Sequence, residues 1–345
     1  MNTVLVTGGA GFFGGILIDR LLSEGMRVVS IDLQTDERRD PNFISIQGDI
    51  RDRELMERIC SEHSFAIVYH CAAILAHAVK DKSFLWTSNV TGTRIVAQCA
   101  RKHHIPKLVF ISSNCLWGRG YPHPISEDEP PEPIELYGQS KWAGEKIVNE
   151  CGGDMAVIIF RCPTIMDSGR LGLLSILFEF IDEGRRVWTV GGGKNRYQFI
   201  YAKDLADACV RAACHSRSRL FNIGSDAVKT MAETYDYVIT KAGTNARVAA
   251  LPKVPTLLAM QIAHRLRISP LGPYHYKMIA ENFMFDTTRI KAEMGWQPTL
   301  TNEEMLCRAY QYYQTNRRQI ESRVGVSAHK QVADMGIIRL LKWLS

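Results

Sequence analysis

Residues 7–15 read TGGAGFFGG, directly behind the apolar run Val4-Leu5-Val6. Glycine loses more backbone freedom on folding than any other residue, so five of them in nine positions require a geometric reason. The spacing Gly9-x-Gly11-x-x-Gly14, overlaid by Gly8-x-x-Gly11-x-x-Gly14, supplies one. Behind a strand and ahead of a helix, such glycines permit a tight turn, close approach of the backbone to a pyrophosphate, and tight packing of helix on strand. That fixes the first βα unit.

The rest of the N-terminal half follows the same rhythm. Short β-branched runs at 3–7, 27–31, 65–70, 107–112 and 155–160 alternate with helical periods at 13–23, 53–61, 90–102 and 140–150. Such alternation implies βαβ units, hence an α/β fold of the Rossmann type with a doubly wound parallel sheet. The expected division is a dinucleotide-binding domain over 1–160 with contributions from 190–225, a smaller and mostly substrate-binding domain over 161–320, and a tail over 321–345. Helices are expected near 171–183 and 202–215. The Pro-rich acidic stretch PHPISEDEPPEPIE, 122–135, is long for a connection and is expected to be a lid or a solvated insertion.

Composition narrows the function classes. A net charge of +6 on 345 residues, with Lys and Arg scattered, argues against nucleic acid as the main partner and permits an anionic cofactor or substrate. Nine cysteines, an odd number without a C-x-x-C pair or a His cluster, imply reduced thiols in a cytoplasmic protein and no metal site. No secretory leader is expected, because Gly8 to Gly11 interrupts any apolar core of one, and no apolar run is long enough to span a bilayer.

Candidate site residues follow in chain order. Asp32 ends the second strand 18 positions past Gly14, where a carboxylate accepts from both ribose hydroxyls and repels a 2′-phosphate. That favours NAD over NADP, with Arg38 and Arg39 as the competing signal. Gly48-Asp49-Ile50 would bring Asp49 near an adenine amino group, and Cys71-Ala72-Ala73 are small where backbone must pass a cofactor closely. Tyr137 and Lys141 are four apart and share a helix face. An adjacent cation favours phenolate and is expected to lower a pKa of about 10, making Tyr137 a general base. Ser112 and Ser113 end the strand that begins at Lys107, at the sheet edge where such folds bind ligands.

Together, TGGAGFFG, Asp32, GDI at 48–50, HCAA at 70–73, SNVTGT at 88–93, FISSNCLWG at 110–118 and YGQSK at 137–141 resemble the extended short-chain dehydrogenase/reductases, which include nucleotide-sugar epimerases and dehydratases. FDTTRIKAEMGWQPTLTNEEML, 285–306, resembles their C-terminal pattern. The resemblance implies NAD held by Gly8, Gly11, Phe12, Phe13, Gly14, Asp32, Asp49, Ile50, Cys71, Ala72, Ala73, Asn89, Tyr137 and Lys141. It also implies catalysis by Ser113, Tyr137 and Lys141, and a homodimer. Tyr137 would remove a hydroxyl proton while hydride leaves to nicotinamide, Ser113 would bond the same oxygen, and Lys141 would hold the nicotinamide ribose.

Departures from the family pattern shape the substrate reading. Dehydratases carry Thr-Asp-Glu where this chain has Ser113-Asn114-Cys115, which disfavours elimination of water. The expectation is therefore a 4-epimerase of a nucleotide-linked or lipid-diphosphate-linked sugar. The alternatives are a hydroxysteroid-type dehydrogenase and a non-catalytic NAD-binding regulator. Two arginines that clamp a diphosphate in the family fall on Tyr197 and Tyr276 here. Arg196, one place early in a strand, would face the opposite way. Asn114, Arg196 and Lys277 are the substrate-binding candidates, with Arg170 as another available cation. Residues 256–268 are apolar with a basic end. The segment 330–345 sets Ile337, Leu340, Leu341 and Leu344 on one helical face with Arg339 and Lys342 off it, which suits either a peripheral contact at the inner face of a membrane or docking on protein.

Overall fold

The glycine turn lies between strand β1 (Thr3–Thr7) and helix α1 (Phe12–Ser23) in a computed structural model that describes residues 2–75, 81–172, 174–266 and 278–321. Val4, Leu5 and Val6 are wholly buried because β1 is a central strand, parallel to β2 (Arg27–Asp32) on one side and to β4 (Phe65–His70) on the other. The same sheet holds β3 (Phe43–Gln47), β5 (Lys107–Ser113), β6 (Ala156–Cys162) and β10 (Arg219–Asn222). Its order is β10-β6-β5-β4-β1-β2-β3, with every pair parallel. The order reverses between β1 and β4, so the connections part there and open a crevice at the carboxyl edge.

Both faces of the sheet are covered, which explains why its central strands read as near-continuous apolar runs. Helices α1 and α7 (Ala202–Ala212) pack Leu17, Ile18, Leu21, Leu205 and Ala208 on one face. Helices α2 (Arg53–Glu62), α4 (Thr93–Lys102) and α5 (Leu136–Gly152) pack the other. Local chemistry starts these helices. Asp52 caps α2 by accepting the Leu55 N–H at 3.0 Å, and α8 (Met231–Ala242) opens with a capping box between Thr230 and Glu233 and closes at Gly243 in the left-handed region.

The remaining strands form two small parallel pairs, β7 (Thr164–Met166) with β9 (Phe199–Tyr201) and β8 (Arg186–Val190) with β11 (Arg247–Leu251). Around them α6 (Leu174–Asp182), α8 and the helix Asn302–Glu321 enclose a separate core of Phe178, Met305, Tyr310 and Tyr313. Among the described residues no helix is long and apolar enough to cross a membrane.

The stretch 122–135 is tied to the body of the protein by hydrogen bonds, while Pro122, His123, Pro124, Asp128, Pro130, Glu132 and Ile134 stay exposed. Ile125 is wholly buried; its N–H donates to the Met284 carbonyl at 2.8 Å, and its own carbonyl accepts the Asp286 N–H at 2.9 Å. Glu132 N–H donates to the Leu116 carbonyl at 2.8 Å, and Trp117 Nε1–H donates to the Pro130 carbonyl at 3.1 Å. Buried backbone amides must be paired. Partners distant in sequence satisfy them here.

Under this strap, Glu145 of α5 meets Arg161 of β6 in a buried ion pair with Nη2–Oε2 at 2.8 Å and Nε–Oε1 at 3.1 Å. Ser112 Oγ donates to Glu145 at 2.5 Å, and Arg161 Nη1 donates to the Glu127 carbonyl at 3.2 Å. Removing one partner strands the other charge in the core. Glu145→Gln is expected to cost about 3–5 kcal/mol in urea denaturation. Glu145→Gln combined with Arg161→Met is expected to recover most of that loss.

Candidate active site

The carboxyl edge brings two main chains into contact. Gly8 has φ +77°, and a Cβ there would lie 2.7 Å from both Cα and N of Ala72. A Cβ at Gly14 would lie 2.1 Å from the Gly8 carbonyl oxygen. Only glycine lets the turn press against the exit of β4 and lets α1 press against the turn. Cys71 N–H donates to the Thr7 carbonyl at 3.1 Å and Ala72 N–H to Thr7 Oγ1 at 3.3 Å, which closes the seam; Ala73 lies beyond it, exposed. Gly11 stands at the N-cap of α1 with no capping side chain, while the Phe12 and Phe13 side chains are buried in the core.

Asp32 ends β2 beside this turn. Its carboxylate accepts the N–H of Ala10 at 3.1 Å and of Gln34 at 3.0 Å. Burial pushes its pKa up and those amides pull it back. Arg38 is engaged by Asp36 at 2.8 Å, by Asp19 at 3.1 Å and by the Gly15 carbonyl at 3.4 Å. Asp49 is gripped by Arg51 through Nε at 2.9 Å and Nη2 at 2.5 Å. Against the upward push of burial, that arginine holds the Asp49 pKa below its ordinary value. Ile50 is a buried side chain in the core under α2 and α4.

Asn89 lies in a π-helical turn, Thr87–Gly92, between α3 (Lys82–Trp86) and α4. Such turns recur at functional sites. Its side chain is wholly engaged with protein. Oδ1 accepts the Ile74 N–H at 2.7 Å, and Nδ2 donates to the Ile74 carbonyl at 3.0 Å and to Ser140 Oγ at 3.0 Å. Asn89 therefore ties the exit of β4 to α5 and positions both.

His70 is buried behind the same seam. Thr93 Oγ1 has one proton and donates it to the Asn89 carbonyl at 2.6 Å. His70 Nε2–H must therefore donate to Thr93 Oγ1 at 2.8 Å, and Nδ1 must accept from Thr7 Oγ1 at 2.6 Å. Burial, with the nearby Lys141 charge, lowers the His70 pKa to about 3, so the ring is neutral.

Ser113 ends β5 and Tyr137 stands in the first turn of α5. Ser113 Oγ accepts the Cys115 N–H at 3.1 Å. The expected lowering of the Tyr137 pKa by Lys141 is not what the structure gives. Burial pushes the phenol up, and the groups that pull it back are the Arg170 guanidinium and Ser113. Lys141 is itself buried, its Nζ 4.1 Å from the centroid of the Phe110 ring, with Glu145 one turn further along the same face. Burial lowers Lys141 to about 8, opposed by the Glu145 carboxylate. Arg170 lies with its Cζ 5.9 Å from the Phe12 ring centroid and acts on both Tyr137 and Tyr197. It thus links the glycine turn to the phenol.

Of the substrate candidates, Asn114 is buried and donates from Nδ2 to the Tyr197 hydroxyl at 2.8 Å, and Thr164 Oγ1 lies 3.1 Å from that same hydroxyl. Arg196 is exposed, its guanidinium on the Val228 carbonyl, while Tyr197 turns toward Asn114. Arg196 is therefore set apart from the Ser113–Tyr137 pair. Lys277, Tyr276 and the segment 330–345 lie outside the described residues. The sequence reading missed Glu145, although the i, i+4, i+8 series Tyr137, Lys141, Glu145 marks it. It placed Arg170 among the cations available to a substrate and not beside Tyr137, because a loop residue carries no periodic signal.

Residues 4–224 match the NAD dependent epimerase/dehydratase family. The chain is 35% identical over 347 residues to the uncharacterized protein y4nG of Sinorhizobium fredii, covering 99% of this chain and 86% of that one. It is 28% identical over 330 residues to a UDP-glucose 4-epimerase of Mycolicibacterium smegmatis, covering 90% and 97%. The crystal structure of the Bordetella bronchiseptica enzyme WbmG in complex with NAD shares the fold, with a TM-score of 0.75 at 20% identity over 97% of each chain.

The neutral His70 carries a pH signature. Below the ordinary histidine pKa of 6.5 the unfolded chain takes up a proton that the folded ring refuses until about pH 3. Stability is therefore lost as pH falls through that window. Between pH 7 and pH 5 this one residue is expected to contribute about 2 kcal/mol of the loss. Urea denaturation at both pH values should show a shallower pH dependence in His70→Gln than in the parent.

Proposed function

Because the chain belongs to the NAD-dependent epimerase/dehydratase family, we propose that it is a 4-epimerase of a sugar joined through a diphosphate to a nucleotide or lipid carrier. The residues present fit the cofactor. Glycine at 8 and 14 lets the turn pack directly on the exit of β4 and on α1, and α1 begins at Gly11 without a capping side chain, an N-terminus that suits a diphosphate. Main-chain groups from Gly8 to Gly14 would hold that diphosphate, Asp32 the adenosine ribose, and Lys141 the nicotinamide ribose. Cys71, Ala72 and Ala73 would pass alongside. The engagement of Arg38 by Asp36 and Asp19 supports NAD over its 2′-phosphorylated form. When bound, NAD supplies an acceptor for hydride and returns it.

The chain's own work is proton transfer and orientation. Tyr137 Oη takes the proton of the sugar hydroxyl and returns it to the product, while Ser113 Oγ–H bonds the same oxygen. The Arg170 guanidinium favours the phenolate against the cost of burial. The observation that carries this reading is the placement of Ser113 at the end of β5 and of Tyr137 and Lys141 in the first turns of α5, a helix that Asn89 ties to the exit of β4 through Ser140. Asn114 and Cys115 stand where an acid pair would serve dehydration, and the Asn114 amide is committed to Tyr197, which supports epimerisation. The relative named as a UDP-glucose 4-epimerase supports a nucleoside diphosphate sugar as the first substrate to try.

Incubation of the purified protein with UDP-hexoses, UDP-N-acetylhexosamines and polyprenyl-diphosphate sugars is expected to interconvert C4 epimers, seen by NMR, without net absorbance change at 340 nm. Accumulation of NADH would replace the epimerase with a dehydrogenase. Tyr137→Phe is expected to lose about 10²–10⁴-fold in kcat; intact turnover would overturn the assignment.

Arg170→Met is expected to lower kcat and to move the acidic limb of its pH profile upward, because the phenol then holds its proton to higher pH. Arg170→Lys should restore part of both. An unmoved profile would remove Arg170 from the reading.

A further inference from the structure

Helix α9 (Lys253–Arg265) is turned inside out for a helix on a protein surface. Val254, Leu258, Ile262 and Leu266 recur every fourth residue in a row and are 77%, 57%, 52% and 63% exposed. Ala263 is buried, and Thr256, Leu257 and Met260 are half-buried, so the side toward the protein is the opposite one. An amphipathic surface helix normally shows solvent its charged face. Here the outward face is aliphatic, and a contiguous exposed apolar strip marks an interaction surface.

Charge identifies the occupant. From Tyr237 to Ala280 the sequence holds six Lys or Arg and no Asp or Glu, in a chain that averages one carboxylate per ten residues. Lys253 stands at the start of the exposed row and His264 and Arg265 at its end. At the foot of the helix, Lys253 and Lys194 line an open cleft of about 570 Å³, with Glu281 also in its wall. The buried Asn195 lines the same cleft, and its Oδ1 has no hydrogen-bond partner. A protein partner would be matched by charges of both signs. An aliphatic row with Lys253 at one end and His264 and Arg265 at the other matches the anionic surface of a bilayer, with the row between acyl chains and the cations among phosphates.

We propose that the outer face of α9 is a peripheral docking surface for anionic membranes. Neither the fold nor the catalytic reading is needed for it.

The test is co-sedimentation of the full chain with vesicles of phosphatidylcholine containing about 30% phosphatidylglycerol, against vesicles of phosphatidylcholine alone. The parent is expected to partition to the anionic vesicles, and Leu258→Glu/Ile262→Glu to lose about tenfold or more of that partitioning. The melting temperature, the elution volume and the epimerisation of a water-soluble sugar nucleotide should all stay at the parent's values. A parent that stays in the supernatant, or a double variant that partitions as the parent does, would overturn the proposal. So would a double variant that changes its elution volume or melting temperature while the parent binds no vesicles, since the row would then be covered by a second copy or by another part of this chain.

Discussion

Everything at the catalytic edge depends on how closely two backbones approach. The turn after β1 and the exit of β4 touch at Gly8 and Ala72 without room for a methyl group between them. Thr7, His70, Thr93 and Asn89 then bolt that contact from beneath with hydrogen bonds whose directions are all determined. The seam fixes the entry of α1, and Asn89 extends it to Ser140 and hence to the helix that carries Tyr137 and Lys141. The glycine turn and the helix that carries Tyr137 and Lys141, far apart in sequence, are thereby joined.

Burial, more than local charge, sets the electrostatics of this unit. It raises the phenol, lowers the neighbouring lysine to about 8 and keeps the histidine neutral. A cation placed against Tyr137 is therefore needed to recover what desolvation takes away. Arg170 meets that need from a loop beyond β7, and it does so while resting on Phe12, a residue of the glycine turn.

Much of this was legible in the sequence because it is local. β-branched runs and helical periods place β1 at Thr3–Thr7 and β4 at Phe65–His70, and place α1 within one residue, since those patterns are written into neighbouring positions. The positions of Asp32 and Ser113 at strand ends and of Tyr137 in the first turn of α5 are legible for the same reason. What escaped depends on partners distant in the chain. The stretch 122–135 is paired with residues near 285, and no local pattern announces a partner 160 positions away. The sign of the Tyr137 shift follows from burial, which periodicity does not report. Asn89 has the residue type and position of a ligand contact, yet its amide is filled by Ile74 and Ser140. For α9 the apolar content of 256–268 was visible, but content does not say which side of a helix the protein covers.

The order of the sheet also bears on how the chain is made. β6 pairs with β5 on one side and with β10 on the other, and β10 begins at Arg219, more than fifty residues later. A nascent chain that has delivered β1 to β6 carries Val157, Ile158, Ile159 and Phe160 on an open strand edge until that last strand is synthesised. Such an edge is a template for intermolecular pairing. While the ribosome moves through residues 163–218, the β6 edge stays open for want of its last partner.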